Sequence, residues 1–180
     1  VSVAAQSDCE VLNDGMLSSS EIIKRYSCNQ FYGLLLRRGI MCDSNSRVTE
    51  FVIAGVVGTF PDIGLLSELY WWETEGSETE RGGLYGKIPK SISNNTELQW
   101  FSVYKNLMTG EIPEEICSLN LLGLWLGENE FSGDIPQCIG RLQDLTELDL
   151  SVNLLTGVLH EEICQLMSLT ELWLEWNQLE

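Results

Sequence analysis

From Leu98 onward the apolar residues fall into a short block, L-x-x-L-x-L, that returns every 23 or 24 residues, with Leu98, Leu121, Leu145 and Leu169 opening successive units. Each block predicts a short strand whose alternate side chains (Leu145, Leu148 and Leu150 in one copy) point inward. One such strand cannot bury its apolar face alone, so the copies are expected to stack into a parallel sheet with one continuous core. Asn106, Asn129, Asn153 and Asn177 recur at one register just after the strand. There the chain turns inward, and a buried amide can satisfy backbone groups that the turn leaves unpaired. Gly110, Gly133 and Gly157 allow a tight return, and Pro89, Pro113 and Pro136 set the entry to a short helical or 3₁₀ segment. Ile116, Ile139 and Ile163 then close the core from the far side.

Two degenerate copies precede the regular ones. One begins at Val48 and is shortened to 21 residues; the next runs from Leu69 to Glu97 and is lengthened to 29 by an acidic insertion around Glu73–Gly83. The units are therefore 48–68, 69–97, 98–120, 121–144, 145–168 and a partial 169–180. The expected architecture is an α/β repeat, a curved solenoid with a parallel sheet on its concave side and short 3₁₀ or helical segments on its convex side. Residues 1–47 stand apart: they carry five acids and five bases, so the whole net charge of −17 lies beyond them. They read as an N-terminal cap over the open sheet edge. Ser18-x-x-Glu21 is a capping-box pattern, and Ile22, Ile23, Tyr26 and the Phe31–Leu36 run predict one or two amphipathic helices.

The pattern L-x-x-L-x-L-x-x-N-x-L-x-G-x-I-P-x-x-I-x-x-L over residues 48–180 resembles the plant-type extracellular leucine-rich repeat of receptor kinases, receptor-like proteins and polygalacturonase inhibitors. Cys42–Phe51 (CDSNSRVTEF) is similar to the end of that family's N-terminal cap. The cap's usual tryptophan is missing, His160 stands in a proline slot, and the first two repeats are irregular, which marks a divergent member with an algal or protist source as the expectation. The resemblance implies a recognition surface on the concave strands and a disulfide between the cap residues Cys28 and Cys42. It also implies secretion, or exposure to an organelle lumen.

Within each unit, the residues between the inward-facing ones form four rows on the concave face. The first is Glu50, Trp71, Trp100, Gly123, Glu147, Glu171, and the second Val52, Glu73, Ser102, Trp125, Asp149, Trp173. The third is Ala54, Glu75, Tyr104, Gly127, Ser151, Glu175, and the fourth Gly55, Gly76, Lys105, Glu128, Val152, Trp176. All the tryptophans except Trp72 fall in these rows. Each ring could bury about 150–250 Å² in a contact, and the alternative is that neighbouring rings pack on one another and merely cover the sheet. Trp71, Trp100, Tyr104, Trp125, Asp149, Trp173, Glu175 and Trp176 are the candidate partner-binding residues. Aromatic anchors among carboxylates suit a protein with a basic or cationic surface, or a glycan stacked on the rings.

Charge and chemistry narrow the function. With 27 acidic against 10 basic residues, the chain lacks the footprint for nucleic acid, and no apolar run is long enough to span a bilayer. His160 is the only histidine, there is no C-x-x-C pair, and neither an enzyme, a cofactor nor a metal site is expected. Cys117 and Cys164 share a register two repeats apart, too far to bond to each other. Cys138 lies between them but two residues earlier; one bridge to it is open, and the repeat thiols are otherwise expected as half-buried packing residues. Asn94-Asn95-Thr96 is an N-glycosylation sequon, and the Glu73–Gly83 insertion reads as a solvated loop. The start at Val1 and the stop at Glu180, partway through a unit, point to a processed or partial product. Its apolar end is then continued by further chain or covered by a neighbouring one. The function expected is non-enzymatic protein recognition. The alternatives are a structural subunit of a larger assembly, or glycan binding and inhibition of wall-degrading enzymes.

Overall fold

The computed structural model describes residues 39–44, 47–76 and 83–180; the helices expected in the cap and the Cys28–Cys42 bridge lie outside the described residues. The described residues form a curved leucine-rich-repeat solenoid. Its main sheet has the order β1 (Gly39–Cys42), β2 (Val48–Ala54), β4 (Trp71–Glu75), β6 (Trp100–Ser102), β8 (Gly123–Trp125), β10 (Glu147–Asp149), β12 (Glu171–Trp173). All neighbours pair in parallel except β1, which adds antiparallel to the edge of β2. A second parallel sheet, β3 (Gly58–Thr59), β5 (Leu84–Gly86), β7 (Leu107–Gly110), β9 (Glu130–Asp134) and β11 (Leu154–Thr156), follows the return of each turn. One 3₁₀ turn per unit (63–65, 90–94, 114–118, 137–141, 161–165) lines the convex side.

Alternation produces the core as the spacing requires. Leu145, Leu148 and Leu150 are fully buried, as are Leu121, Leu124 and Leu126 one repeat earlier. Ile92 and Ile116 are sealed in from the convex side. Pro89, Pro113 and Pro136 precede three of the 3₁₀ turns with φ of −72°, −71° and −55°, and His160 holds the same slot at −67°. The 3₁₀ turn at 90–94 differs at its end. Asn95 takes the place that Leu119, Leu142 and Leu166 occupy in the following units, and its buried Nδ2 donates to Ile63 O (2.9 Å) and Leu66 O (2.8 Å).

The asparagine register forms a ladder. Asn129 Nδ2 donates to Val103 O (2.8 Å) in the preceding repeat and to Leu126 O and Gly127 O (3.1 Å each) in its own, while its Oδ1 accepts from Met108 N (2.9 Å). Asn153 repeats the arrangement one unit on, and Asn177 Nδ2 and Oδ1 likewise reach back to Leu150 O and Leu155 N. The residue just before each asparagine is left-handed: Lys105, Glu128, Val152 and Trp176 have φ of 53°, 53°, 51° and 59°. The fourth sequence row is thus a row of turn residues at the rim of the face, because a left-handed residue ends the strand's alternation.

Two expectations are corrected. The repeat thiols are not merely packing residues: Cys117 and Cys138 form a disulfide between adjacent 3₁₀ turns, with Cα atoms 5.8 Å apart, and Cys164 is a free, exposed thiol. Two residues of register bring Cys138 beside Cys117, because a 3₁₀ turn advances by only about three residues per revolution. A bridge closing such a loop contributes about 2–4 kcal/mol. The stretch opening the acidic insertion is also not loop. Glu73, Thr74 and Glu75 continue β4, paired with Val52, Ile53 and Ala54 of β2, because the long neighbouring strand supplies ladder partners.

Candidate recognition surface

Consecutive strands carry the concave rows in register, so one row becomes one line of side chains across the sheet. Trp71 pairs with Trp100 and Trp100 with Gly123; in the next row Glu73 pairs with Ser102, Ser102 with Trp125 and Trp125 with Asp149. The rows thereby bring together most of the sequence candidates. Trp71 stacks on Trp100 (centroids 5.3 Å apart, planes 27° off) and Trp100 on Trp125 (5.4 Å, 11°). Gly123 makes the second stack possible. A Cβ there would come within 2.5 Å of Trp125 Cη2 and 2.6 Å of Trp100 Cε3, so both rings lean over a position without a side chain.

This stacking joins both sequence readings of the rings. Trp100 lies between two neighbours and offers a partner mainly its edge, so it covers the sheet. The three rings remain half-exposed, and each outer indole is fixed by a carboxylate: Trp71 Nε1 donates to Glu73 Oε2 (2.9 Å) and Trp125 Nε1 to Glu147 Oε2 (3.2 Å). Trp173 and Trp176 lie apart from the stack, Trp173 half-buried on β12 and Trp176 at 80% exposure on the rim. Glu175 is exposed between them in sequence. Trp72, one residue from Trp71, is fully buried, as its inward slot requires.

Below the stack lies a recess of about 250 Å³ lined by Glu73, Ser102, Tyr104, Trp125 and Asp149. Asp149 is only 9% exposed; its Oδ1 accepts from Ser151 N (2.9 Å) and Ser151 Oγ (2.6 Å). A Cβ on Gly127 would sit 2.6 Å from both Asp149 oxygens, so that glycine leaves the carboxylate its space. Tyr104 OH donates to Glu128 Oε1 (2.5 Å). This hydrogen bond, then burial, then the Glu128 charge, push the Tyr104 hydroxyl well above the usual tyrosine range. Lys105 Nζ lies 5.3 Å from the Tyr104 ring centroid, a cation held by the chain itself at the rim. The rows thus set Glu50, Glu73, Glu75, Glu128, Glu147, Asp149, Glu171 and Glu175 around one lysine, a face whose potential attracts cations.

The sequence reading did not find the recess. It depends on two glycines in the rows, and a missing side chain gives no pattern to read. Among the described residues no group of His, Cys, Asp and Glu is placed to hold a metal ion. No helix among them is long and apolar enough to cross a membrane.

Stacked parallel strands, an asparagine ladder and 3₁₀ turns entered through proline define a leucine-rich-repeat protein. The Leucine Rich Repeat family model matches residues 144–166, and the chain resembles the plant-type extracellular branch of these proteins. Among solved structures it is similar to the ectodomain of the Arabidopsis thaliana receptor kinase GASSHO1/SCHENGEN3, crystallised with CASPARIAN STRIP INTEGRITY FACTOR 2. That match has 31% identity and a TM-score of 0.72 over 78% of this chain and 17% of that one. It is also similar to the Arabidopsis thaliana SOBIR1 receptor-kinase ectodomain, with 28% identity and a TM-score of 0.66 over 81% of this chain and 84% of that one. The Arabidopsis thaliana BIR3–SERK2 complex shares the fold at 24% identity, with a TM-score of 0.73 over 96% of this chain and 93% of that one. The chain spans less than a quarter of the first receptor ectodomains it matches. No curated protein sequence matches it.

Proposed function

We propose that the chain is a non-catalytic, extracellular recognition module that binds a protein or peptide partner bearing basic groups through its concave face. Trp71, Trp100, Tyr104, Trp125, Asp149, Trp173, Glu175 and Trp176 form the contact surface, residues 1–47 cap the sheet and 48–180 carry the repeats. The observation that carries this reading is the half-exposed indole stack set beside the acidic recess, on the one face where adjacent strands align side chains in rows. The receptor ectodomain of GASSHO1/SCHENGEN3 was crystallised with a partner factor, and the Cys117–Cys138 disulfide suits an oxidising compartment. Asn94, exposed at the end of a convex 3₁₀ turn, could carry a glycan clear of the concave face.

The stacking weakens the glycan alternative. A sugar platform needs free ring faces, and Trp100 has a neighbour on each side. The test is a displayed library of linear peptides selected on the chain, with binders re-measured against Trp100→Ala/Trp125→Ala and against a convex control, Gln137→Ala. Affinity should fall about tenfold or more in the first, since buried aromatic anchors commonly carry 2 kcal/mol or above, and stay level in the second. Undiminished binding to the double variant, with its circular dichroism unchanged, rejects this face.

A further inference from the structure

The recess shows what kind of group would enter the face. We infer that it receives one arginine side chain of the partner; this rests on the concave-face reading above and specifies its chemistry. Size comes first. At about 250 Å³ the recess falls below the roughly 300–1,000 Å³ of pockets that hold a whole small molecule, so a single side chain is the better fit. Its walls come second. Glu73, Ser102, Trp125 and Asp149 form one lateral row across four neighbouring strands, with a carboxylate at each end, a small hydroxyl as floor and an indole between.

The carboxylates are prepared on one side and open on the other. Trp71 holds Glu73 by Oε2 and Ser151 holds Asp149 by Oδ1, while among the described residues nothing donates to Glu73 Oε1 or Asp149 Oδ2. Asp149 is nine-tenths buried, yet its Oδ2 is not a buried unpartnered atom, so that oxygen stays open to a donor from outside. Glu73 and Asp149 stand three strands apart, so one guanidinium pairs with one of them. Asp149, next to Trp125 in the row, sets a carboxylate beside an indole, which suits a planar fork of N–H donors that can also stack. A lysine ammonium is a compact point charge that pairs with the carboxylate but lacks the planar group to stack. The chain's own cation does not fill the place: Lys105 sits against Tyr104 and is not among the residues that line the recess.

The experiment takes peptides selected on the chain and resynthesises each with its basic residues replaced singly by lysine and by citrulline, which keeps arginine's shape without its charge. These are titrated against the chain and its isosteric variants Glu73→Gln and Asp149→Asn. One arginine per peptide should prove sensitive, with citrulline weakening binding about tenfold or more and lysine less, as expected for hydrogen bonds to charged groups. The citrulline and Asp149→Asn losses should not add, since both remove the same contact. Additive losses, or binders without arginine that still need Trp100 and Trp125, overturn the arginine pocket and leave the concave-face reading standing. Binders insensitive to every concave substitution, or a library that yields none, overturn both.

Discussion

The first two repeats (48–97) and the regular ones that follow achieve the same strand stacking by different interiors. The front is held by rings: Phe51 stacks on Trp72 (4.3 Å, 9°), and Phe60 meets both Trp72 (5.5 Å, 66°) and Phe101 (6.1 Å, 87°) edge-on. In its first repeat the asparagine slot holds Val56, buried at 2% exposure, and glycine rather than a strained side chain makes the turn, Gly55 with φ of 70°. The back fills its core mainly with leucine and isoleucine, with Phe101 and Phe131 as single buried rings, and hangs each turn on an amide. Bulky rings supply contact area without demanding a fixed turn length. An amide ladder demands its register, because each rung must meet particular carbonyls of the preceding unit. That explains why irregular lengths of 21 and 29 residues occur only in front.

The two regions meet at Asn106. Its Nδ2 reaches back to Thr74 O (3.1 Å) and its Oδ1 accepts from Leu84 N (2.8 Å), so one side chain grips both ends of the insertion. Since loop-closure entropy grows only slowly with length, clamping the two ends leaves the intervening residues free to vary in number and charge.

The largest test of the comparison is Trp72→Ala. Removing a fully buried indole from an aromatic cluster should cost about 3–5 kcal/mol in denaturant unfolding. Because solenoid repeats are stabilised by their neighbours, amide exchange should accelerate first in 48–97 while the Leu124–Leu150 region keeps its protection longer. Equal loss of protection throughout would mean the two interiors act as one cooperative unit.

Asn129→Ala probes the other device. It strands Met108 N, a buried group that costs about 1–3 kcal/mol when unpaired. It also takes one donor each from Val103 O, Leu126 O and Gly127 O, which keep Asn106 Nδ2, Asn153 Nδ2 and Lys105 N. A loss of about 1–3 kcal/mol is expected, centred on the two repeats that share the rung. If Asn129→Ala costs under about 1 kcal/mol, the ladder is not what fixes the back half.

The back half was legible because its devices are periodic. Leucine, asparagine, glycine and proline slots at 23 and 24 residues expose strand, turn and 3₁₀ entry together, and the concave rows follow from counting. What escaped reading was what departs from the period. The Cys117–Cys138 bridge, which the sequence left open without deciding, joins two different registers, and the β4 extension depends on how long β2 is. The recess needs both the lateral pairing of Glu73 with Asp149's strand through Ser102 and Trp125 and the empty positions at Gly123 and Gly127. Asn95 reads as part of a surface sequon, yet it is a buried brace between units, since a polar residue in a leucine slot carries no mark of its depth.

The smallest test asks what the ladder costs its own turns. At the residue before each asparagine the regular repeats force a left-handed backbone, and Val152, with φ of 51°, is the worst suited of the set because its branched Cβ crowds the following carbonyl. A left-handed residue of this kind carries about 1–2 kcal/mol of strain, whereas asparagine adopts the conformation readily. Val152 is 43% exposed, so little packing is at stake. Val152→Asn should therefore raise stability by about 0.5–1 kcal/mol in the same unfolding assay. Val152→Gly should gain less, because glycine also loosens the unfolded chain. Glu128→Asn should gain least, since it gives up the hydrogen bond from Tyr104. A destabilised Val152→Asn would show that the turn is not strained, and that the front repeats, with glycine at Gly55, gain nothing from doing without the ladder.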